Sequence, residues 1–280
     1  MTLPTVLELL TRSAAYLCER GIANGRRETE WIFADTLGWT RLDLYTRFDT
    51  PLESEIVSRL RDRVVRRGKR EPLAYVLGSQ PFAGVTLHVG SGVLVPRPET
   101  EELIEHVLAA LSESPLRIID VGTGSGAIAL ACKKARPAWS VEAVDISAEA
   151  LVIARANGEA LGLAVDWRLG DLLVEAQGLF AGIIANLPYI AESEAELCDP
   201  ELAFEPRGAL FSGADGLDAI RSIMPQIATC LAPDGIAWLE HGFRQAEAVR
   251  ALAEAAGLQA TTIKDLAGQE RFARICRLHS

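Results

Sequence analysis

Apolar residues along this chain change their period once. From Val6 to about residue 75 they recur at helical spacing, and from Leu116 onward they form short runs separated by amphipathic stretches. In the first part Val6, Leu7, Leu9, Leu10, Ala14 and Leu17 follow a Thr5 cap, and Gly21 ends the run. Trp31, Ile32, Phe33 and Leu37 mark a second helix from Arg27 to Leu37, stopped by Gly38. Ile56, Val57, Leu60, Val64 and Val65 mark a third, beginning near Pro51 and Leu52. Residues three and four apart share one side of a helix, so each set predicts a buried stripe. Then Phe82, Val85, Leu87 and Val89, followed by Val93 and Val95, alternate around Gly90-Ser91-Gly92, which predicts a β-hairpin.

After Leu116 the pattern predicts strands at 116–121, 140–145, 164–169, 181–186 and 235–240. Helices are predicted near 126–136, 147–161, 215–231 and 243–256, and two closing strands at 258–264 and 271–278 around Ala267-Gly268. Alternating strand and helix requires a mostly parallel sheet covered on both faces. The fold class is therefore α/β: a mostly parallel Rossmann-like sheet with a C-terminal antiparallel hairpin. Residues 1–80 form a small helical domain, 81–95 a β-hairpin linker, and 96–280 the sheet domain.

Of the 280 residues 49% are hydrophobic and 24% charged, as in soluble globular proteins. The net charge of -10 is uneven: residues 1–80 hold 13 Lys and Arg against 11 Asp and Glu, and the remainder 15 against 27. The helical part is thus near +2 and the sheet domain near -12. Binding nucleic acid regardless of sequence needs phosphate neutralisation by basic side chains, which an acidic body does not supply. The run Arg59, Arg61, Arg63, Arg66, Arg67, Lys69, Arg70 reads as a solvated helix face or as a docking surface for a partner. Five cysteines stand far apart without a C-x-x-C pair and four histidines are scattered, so no metal is expected. Buried free thiols in a reducing cytoplasm are the expectation. The N-terminus lacks a signal-peptide pattern and no apolar run reaches the roughly 20 residues of a membrane span.

Ligands of open α/β sheets bind beyond the carboxyl ends of the strands, and four such ends carry polar residues here. The first strand runs into Asp120-Val121-Gly122-Thr123-Gly124-Ser125-Gly126. Its G-x-G-x-G spacing differs from the G-x-G-x-x-G of dinucleotide sites, and lets the backbone approach a ligand closely. The second ends at Asp145, whose carboxylate can accept both ribose hydroxyls or cap the next helix; Ser147 is better placed for the cap. After the third, Asp171 can accept from an adenine amine or from its own backbone, with Leu172 beside it. The set describes a nucleoside site without a phosphate lysine, which suits S-adenosylmethionine. The fourth strand leads into Asn186-Leu187-Pro188-Tyr189. Pro188 holds Leu187 extended and has no N–H, so the turn presents acceptors, the Asn186 side-chain oxygen and the Leu187 carbonyl, to one planar NH2 group. Tyr189 adds a ring on which that group can rest.

These residues resemble the HemK/PrmC family of release-factor glutamine methyltransferases. The likeness spans nearly the whole chain: Glu71-Pro72-Leu73-Ala74-Tyr75-Val76-Leu77-Gly78, Val95-Pro96-Arg97-Pro98-Glu99-Thr100-Glu101, the glycine loop, and Gly213-Ala214-Asp215-Gly216-Leu217-Asp218. It implies S-adenosylmethionine as cofactor and, as substrate, the glutamine of the Gly-Gly-Gln motif in bacterial class 1 peptide chain release factors. It implies too that Gly122 to Gly126 and Asp145 bind cofactor, that Asn186 lies near both cofactor and glutamine, that Asn186 through Tyr189 hold the glutamine amide, and that the N-terminal helical domain contacts the release factor. The family usually has Pro where this chain has Leu187, and often an aromatic where it has Leu172. Asn-Leu-Pro-Tyr also resembles the turn of rRNA adenine dimethyltransferases. The competing expectations are an adenine-amine methyltransferase acting on RNA or DNA, and a nonenzymatic nucleoside-binding module docking on the translation machinery.

Overall fold

A computed structural model describes residues 3–278. They form two compact units, one running to Ser79 and including Asp199–Phe204, the other comprising Gln80–Cys198 and the chain from Glu205.

The first unit contains α1 (Val6–Glu19), α2 (Gly25–Leu37), α3 (Arg41–Thr46), α4 (Ser54–Gly68) and α5 (Leu73–Leu77). Thr5 starts α1 with a capping box: its N–H donates to Glu8 Oε2 at 2.9 Å while Glu8 N–H donates to Thr5 Oγ1 at 3.4 Å. Such a cap is worth ~1 kcal/mol. Val6, Leu10, Leu17, Ile32, Phe33, Leu60 and Val64 meet in one core, so most of each stripe read from the sequence is buried, but Leu7, Trp31 and Val65 of those sets are exposed. The short α3 and α5 left no periodic signal, having 6 and 5 residues.

The basic run is neither a plain solvated face nor wholly free to dock. Arg63 pairs with Asp35 and Arg66 with Glu71, both at 2.5 Å. Arg67 is buried, bound to Glu28 and, at 2.9 Å, to Glu201. Arg70 reaches the other Glu201 oxygen at 2.9 Å. Among the described residues Arg59, Arg61 and Lys69 make no ion pair. The cysteines also depart from expectation: Cys132 and Cys230 are buried, but Cys18 is exposed and Cys198 and Cys276 are half-buried. Cys18 comes one residue after the buried Leu17 and falls off the apolar stripe of α1.

The second unit opens with a hairpin, β1 (Ser79–Phe82) and β2 (Val85–His88). Its turn is Ala83-Gly84, not Gly90-Ser91-Gly92. Ala83 and Gly84 have φ of 41° and 80°, the double positive φ of a two-residue hairpin turn that follows strand twist. Residues 93–95 form no strand. The Pro-Arg-Pro-Glu-Thr segment begins α6 (Pro98–Ala110), with Pro98 at its first turn, where a missing N–H costs no bond.

The sheet consists of β3 (Arg117–Val121), β4 (Ser140–Asp145), β5 (Asp166–Leu169), β6 (Phe180–Ala185), β7 (Leu231–Glu240), β8 (Leu258–Lys264) and β9 (Glu270–Arg277). Their order is β5-β4-β3-β6-β7-β9-β8, parallel except where β9 runs antiparallel to β7 and β8. Between the strands lie α7 (Ala127–Ala135), α8 (Ala148–Leu161), α9 (Asp218–Cys230) and α10 (Ala246–Ala255). Parallel strands buried on both faces need continuous apolar runs, as in Ile183-Ile184-Ala185 and Ile236-Ala237-Trp238-Leu239, almost all fully buried. The chain leaves β3 for β4 and β5 on one flank and returns as β6 and β7 on the other. The order therefore reverses at β3, and a crevice opens beyond the ends of β3 and β6.

Candidate active site

A cavity of about 450 Å³ occupies that crevice, within the range of ~300–1,000 Å³ usual for small-molecule sites. Gly122, Gly124, Asp145, Asp171, Leu172, Asn186, Leu187 and Pro188 all line it. Thr123 and Ser125 line a smaller recess of about 40 Å³, which Gly122, Gly124 and Asn186 share. Of the residues singled out from the sequence, Gly126 and Tyr189 line neither space.

The glycine turn is held from both sides. Beneath it Asp120 is fully buried; its Oδ2 accepts from the Thr123 hydroxyl at 2.5 Å and the Ala129 N–H at 3.1 Å. Its Oδ1 has no partner, and burial pushes the carboxyl up to about 7 against those two bonds. In front, Asp145 Oδ2 accepts the Gly124 N–H and Oδ1 the Ser147 N–H, both at 2.8 Å. Each oxygen keeps lone-pair capacity for a hydroxyl in the cavity. Ser147, not Asp145, caps α8: its Oγ accepts the Ala150 N–H at 3.1 Å. Gly126 has a packing reason, since a Cβ there would lie 2.9 Å from the Trp167 ring.

On the β5 side, Leu172 has φ of 52°, a left-handed conformation that costs a non-glycine residue roughly 1–2 kcal/mol. Gln226 of α9 stabilises it by accepting the Leu173 N–H at 2.8 Å. The Asp171 side chain makes no hydrogen bond among the described residues. Leu172 with the exposed Ile146 gives the cavity apolar walls on which a base can lie.

On the β6 side, Asn186 Nδ2 donates to Thr100 Oγ1 at 2.9 Å. Its Oδ1 and the Leu187 carbonyl take no hydrogen bond among the described residues. The Leu187 side chain is buried in the core. Tyr189 sits behind the turn, its hydroxyl 3.2 Å from Glu240 Oε1. Burial and the neighbouring Glu240 push the Tyr189 phenol well above its ordinary range.

Sequence reasoning missed several contributors. Glu205, buried, accepts the Val95 N–H at 2.8 Å and an Arg97 N–H at 2.5 Å. It thereby ties together two cavity-lining segments, Gly92-Val93-Leu94 and the chain at Pro206 to Ala209. Gln245 holds the Tyr189 carbonyl at 2.9 Å. The Pro-Arg-Pro-Glu-Thr segment was the available signal for the first, but nothing local says what it touches.

A glycine-lined crevice at the reversal point of a mostly parallel sheet, closed by an antiparallel pair, places the second unit among Rossmann-like methyltransferases. Family models agree: residues 98–201 match the methyltransferase small domain and residues 8–78 the PrmC N-terminal domain. A release factor glutamine methyltransferase of Geobacter sulfurreducens is 40% identical over 88% of this chain and 87% of its own length. One of Deinococcus radiodurans is 38% identical over 96% of this chain and 98% of its own. The chain belongs to the release factor glutamine methyltransferase family. Among solved structures, ribosomal protein L11 methylase of Lactobacillus delbrueckii subsp. bulgaricus has a TM-score of 0.50 and 26% identity, covering 65% of this chain and 79% of that one. No helix among the described residues is long and apolar enough to cross a membrane.

Proposed function

We propose that this enzyme transfers a methyl group from S-adenosylmethionine to the side-chain amide nitrogen of the glutamine in the Gly-Gly-Gln motif of bacterial class 1 peptide chain release factors. The names and coverage of its relatives support that substrate. The observation that carries the reading is the amide of Asn186, whose NH2 is engaged by Thr100, leaving Oδ1 as an acceptor beside the Leu187 carbonyl.

The cavity suits the cofactor. Asp145 has acceptor capacity for the two ribose hydroxyls, Asp171 an unengaged carboxylate for the adenine amine, and Leu172 and Ile146 apolar faces for the base. Gly122 and Gly124 leave the approach open, while Thr123, Ser125 and Gly126 shape the turn. When bound, S-adenosylmethionine supplies an electrophilic methyl on a sulfonium centre.

The chain's own contribution is positioning. An amide nitrogen is a weak nucleophile because its lone pair is delocalised, so holding it in near-attack geometry matters most, worth about 7–11 kcal/mol in favourable cases. Asn186 Oδ1 and the Leu187 carbonyl hold the two N–H bonds of the substrate amide and favour positive character growing on its nitrogen. Pro188 keeps the turn extended and Tyr189 backs it. The departing proton passes late, to water or a turn acceptor, since the turn holds no His, Cys or Lys. We assign substrate docking to residues 1–80, a linking role to 81–95, where the hairpin ends at His88, and methyl transfer to 96–280, and a reducing cytoplasm as the site of action.

Methyl transfer from labelled cofactor to a purified release factor, with RNA as the competing acceptor, tests the reading. Label on the release factor glutamine is expected, and label on RNA alone would overturn it. Asn186→Ala is expected to lose about a hundredfold or more in kcat. Leu187→Pro is expected to stay within about tenfold, because it keeps the carbonyl and loses an N–H that no described residue accepts.

A further inference from the structure

Asn186 does not orient itself. Behind it stands Thr100 of α6, 4% exposed, and behind that Glu240 at the end of β7, 1% exposed. Asn186 Nδ2 donates to Thr100 Oγ1 at 2.9 Å, and the Thr100 hydroxyl donates to Glu240 Oε2 at 2.7 Å. Tyr189, from the same turn, donates to the other carboxylate oxygen at 3.2 Å.

A threonine hydroxyl has one hydrogen and two lone pairs. Burial pushes the Glu240 carboxyl up, yet both its oxygens take donors, Oε2 the Thr100 hydroxyl and Oε1 that of Tyr189; with its hydrogen committed there, Thr100 can offer Asn186 nothing but a lone pair. The amide must then turn its NH2 toward Thr100 and its Oδ1 away. The two ends of an asparagine amide are nearly identical in shape, so packing alone does not select between them. If the amide flipped, its NH2 would meet the NH2 of the substrate, donor against donor. We propose that Thr100 and Glu240 are positioning residues that set the amide orientation of Asn186, and so make its Oδ1 the acceptor for the substrate amide. This rests on the reading of Asn186 given under Proposed function. It also assigns a purpose to the threonine of the Pro-Arg-Pro-Glu-Thr segment, which is otherwise a buried, satisfied residue in the first turn of α6.

The test is a double-mutant cycle on the full chain, with labelled S-adenosylmethionine and a class 1 release factor as acceptor. Thr100→Val keeps the shape and removes the hydroxyl; Thr100→Ser keeps the hydroxyl. Thr100→Val is expected to lose about tenfold or more in kcat, with cofactor affinity and melting temperature near those of the parent, and Thr100→Ser to restore most of the rate. On an Asn186→Ala background, Thr100→Val is expected to cost less than about twofold, because two residues acting through one group are not additive. Thr100→Ala serves the same comparison if the valine methyl disturbs packing. An unchanged kcat in Thr100→Val, or an equal loss with and without Asn186, would overturn the proposal while leaving the role of Asn186 intact. Full activity in Asn186→Ala alone would instead overturn the reading on which it rests.

Discussion

Leu187 packs against the one face of Gly122 where a side chain would project: its Cδ2 lies 3.0 Å from the position of a Cβ built there. The turn after β6 and the glycine turn after β3 are thus in direct contact, and their spacing depends on a missing methyl group. Gly122 also has φ of 72°, which costs a residue with a Cβ roughly 1–2 kcal/mol. Gly122→Ala is expected to weaken S-adenosylmethionine binding and lower the melting temperature together. Leu187→Ala on that background is expected to recover only part of the loss, since it relieves the contact and not the backbone strain. Titration calorimetry and thermal melting of the two variants beside the parent would check this, and full recovery would show that strain contributes nothing.

Asp145 bonds the glycine turn and lines the cavity, so if it takes the ribose hydroxyls as proposed, Asp145→Ala removes two kinds of support. The ligand loses a charged acceptor, worth roughly 1.5–3 kcal/mol, and the Gly124 N–H loses its partner. The expected outcome is a cofactor Kd raised by about tenfold to a hundredfold in a folded protein. An unchanged Kd by calorimetry would remove Asp145 from the binding site.

Asp120 gives the fold a pH dependence with a definite sign. Its carboxyl titrates at 3.8 in the open chain and is pushed up to about 7 by burial. Below pH ~4 both states hold the proton and nothing is lost. Between pH ~4 and ~7 the unfolded chain ionises while the folded one stays neutral, so stability falls as pH rises, and above ~7 the loss is complete. Asp120→Asn stays neutral at every pH and its oxygen can still accept from Thr123 and Ala129. Melting temperatures from pH 5 to 8 are expected to decline less in the variant than in the parent. Parallel profiles would assign the dependence to other groups.

The ion pairs of the helical unit separate two kinds of arginine. Arg67 is buried between Glu28 and Glu201; Arg67→Ala leaves Glu28 without its ion-pair partner and Glu201 with Arg70 alone, and is expected to cost about 3 kcal/mol of stability. Arg61 is exposed and makes no ion pair among the described residues. If the basic run docks a partner, Arg61→Glu lowers kcat/KM for the release factor, more at low salt than at high, without changing the melting temperature. Denaturant unfolding for the first variant and kinetics at two ionic strengths for the second would check both, and a salt-independent effect at Arg61 would speak against docking there.

What the sequence determined by itself was everything written in a local period or a local turn. The strand and helix of each repeat from Leu116 onward, the capped α1, the glycine turn, Asp145 and Asn186-Leu187-Pro188-Tyr189 were all legible, because alternation, helical spacing, capping and proline act within a few residues. Only the tertiary structure decided the rest. Thr100 meets Glu240 across 140 residues, Val95 meets Glu205 across 110, and Arg67 meets Glu201 across 134. No single position in such a pair carries a mark of its partner. The hairpin turn moved to Ala83-Gly84 because the alternation of Val85, Leu87 and Val89 fixes which residues face inward, while the φ angles the chain adopts decide where it reverses. The acceptor at Asn186 was legible as a residue type; the direction its amide faces was not, since a buried hydroxyl and a buried carboxylate contributed from distant strands and helices set it.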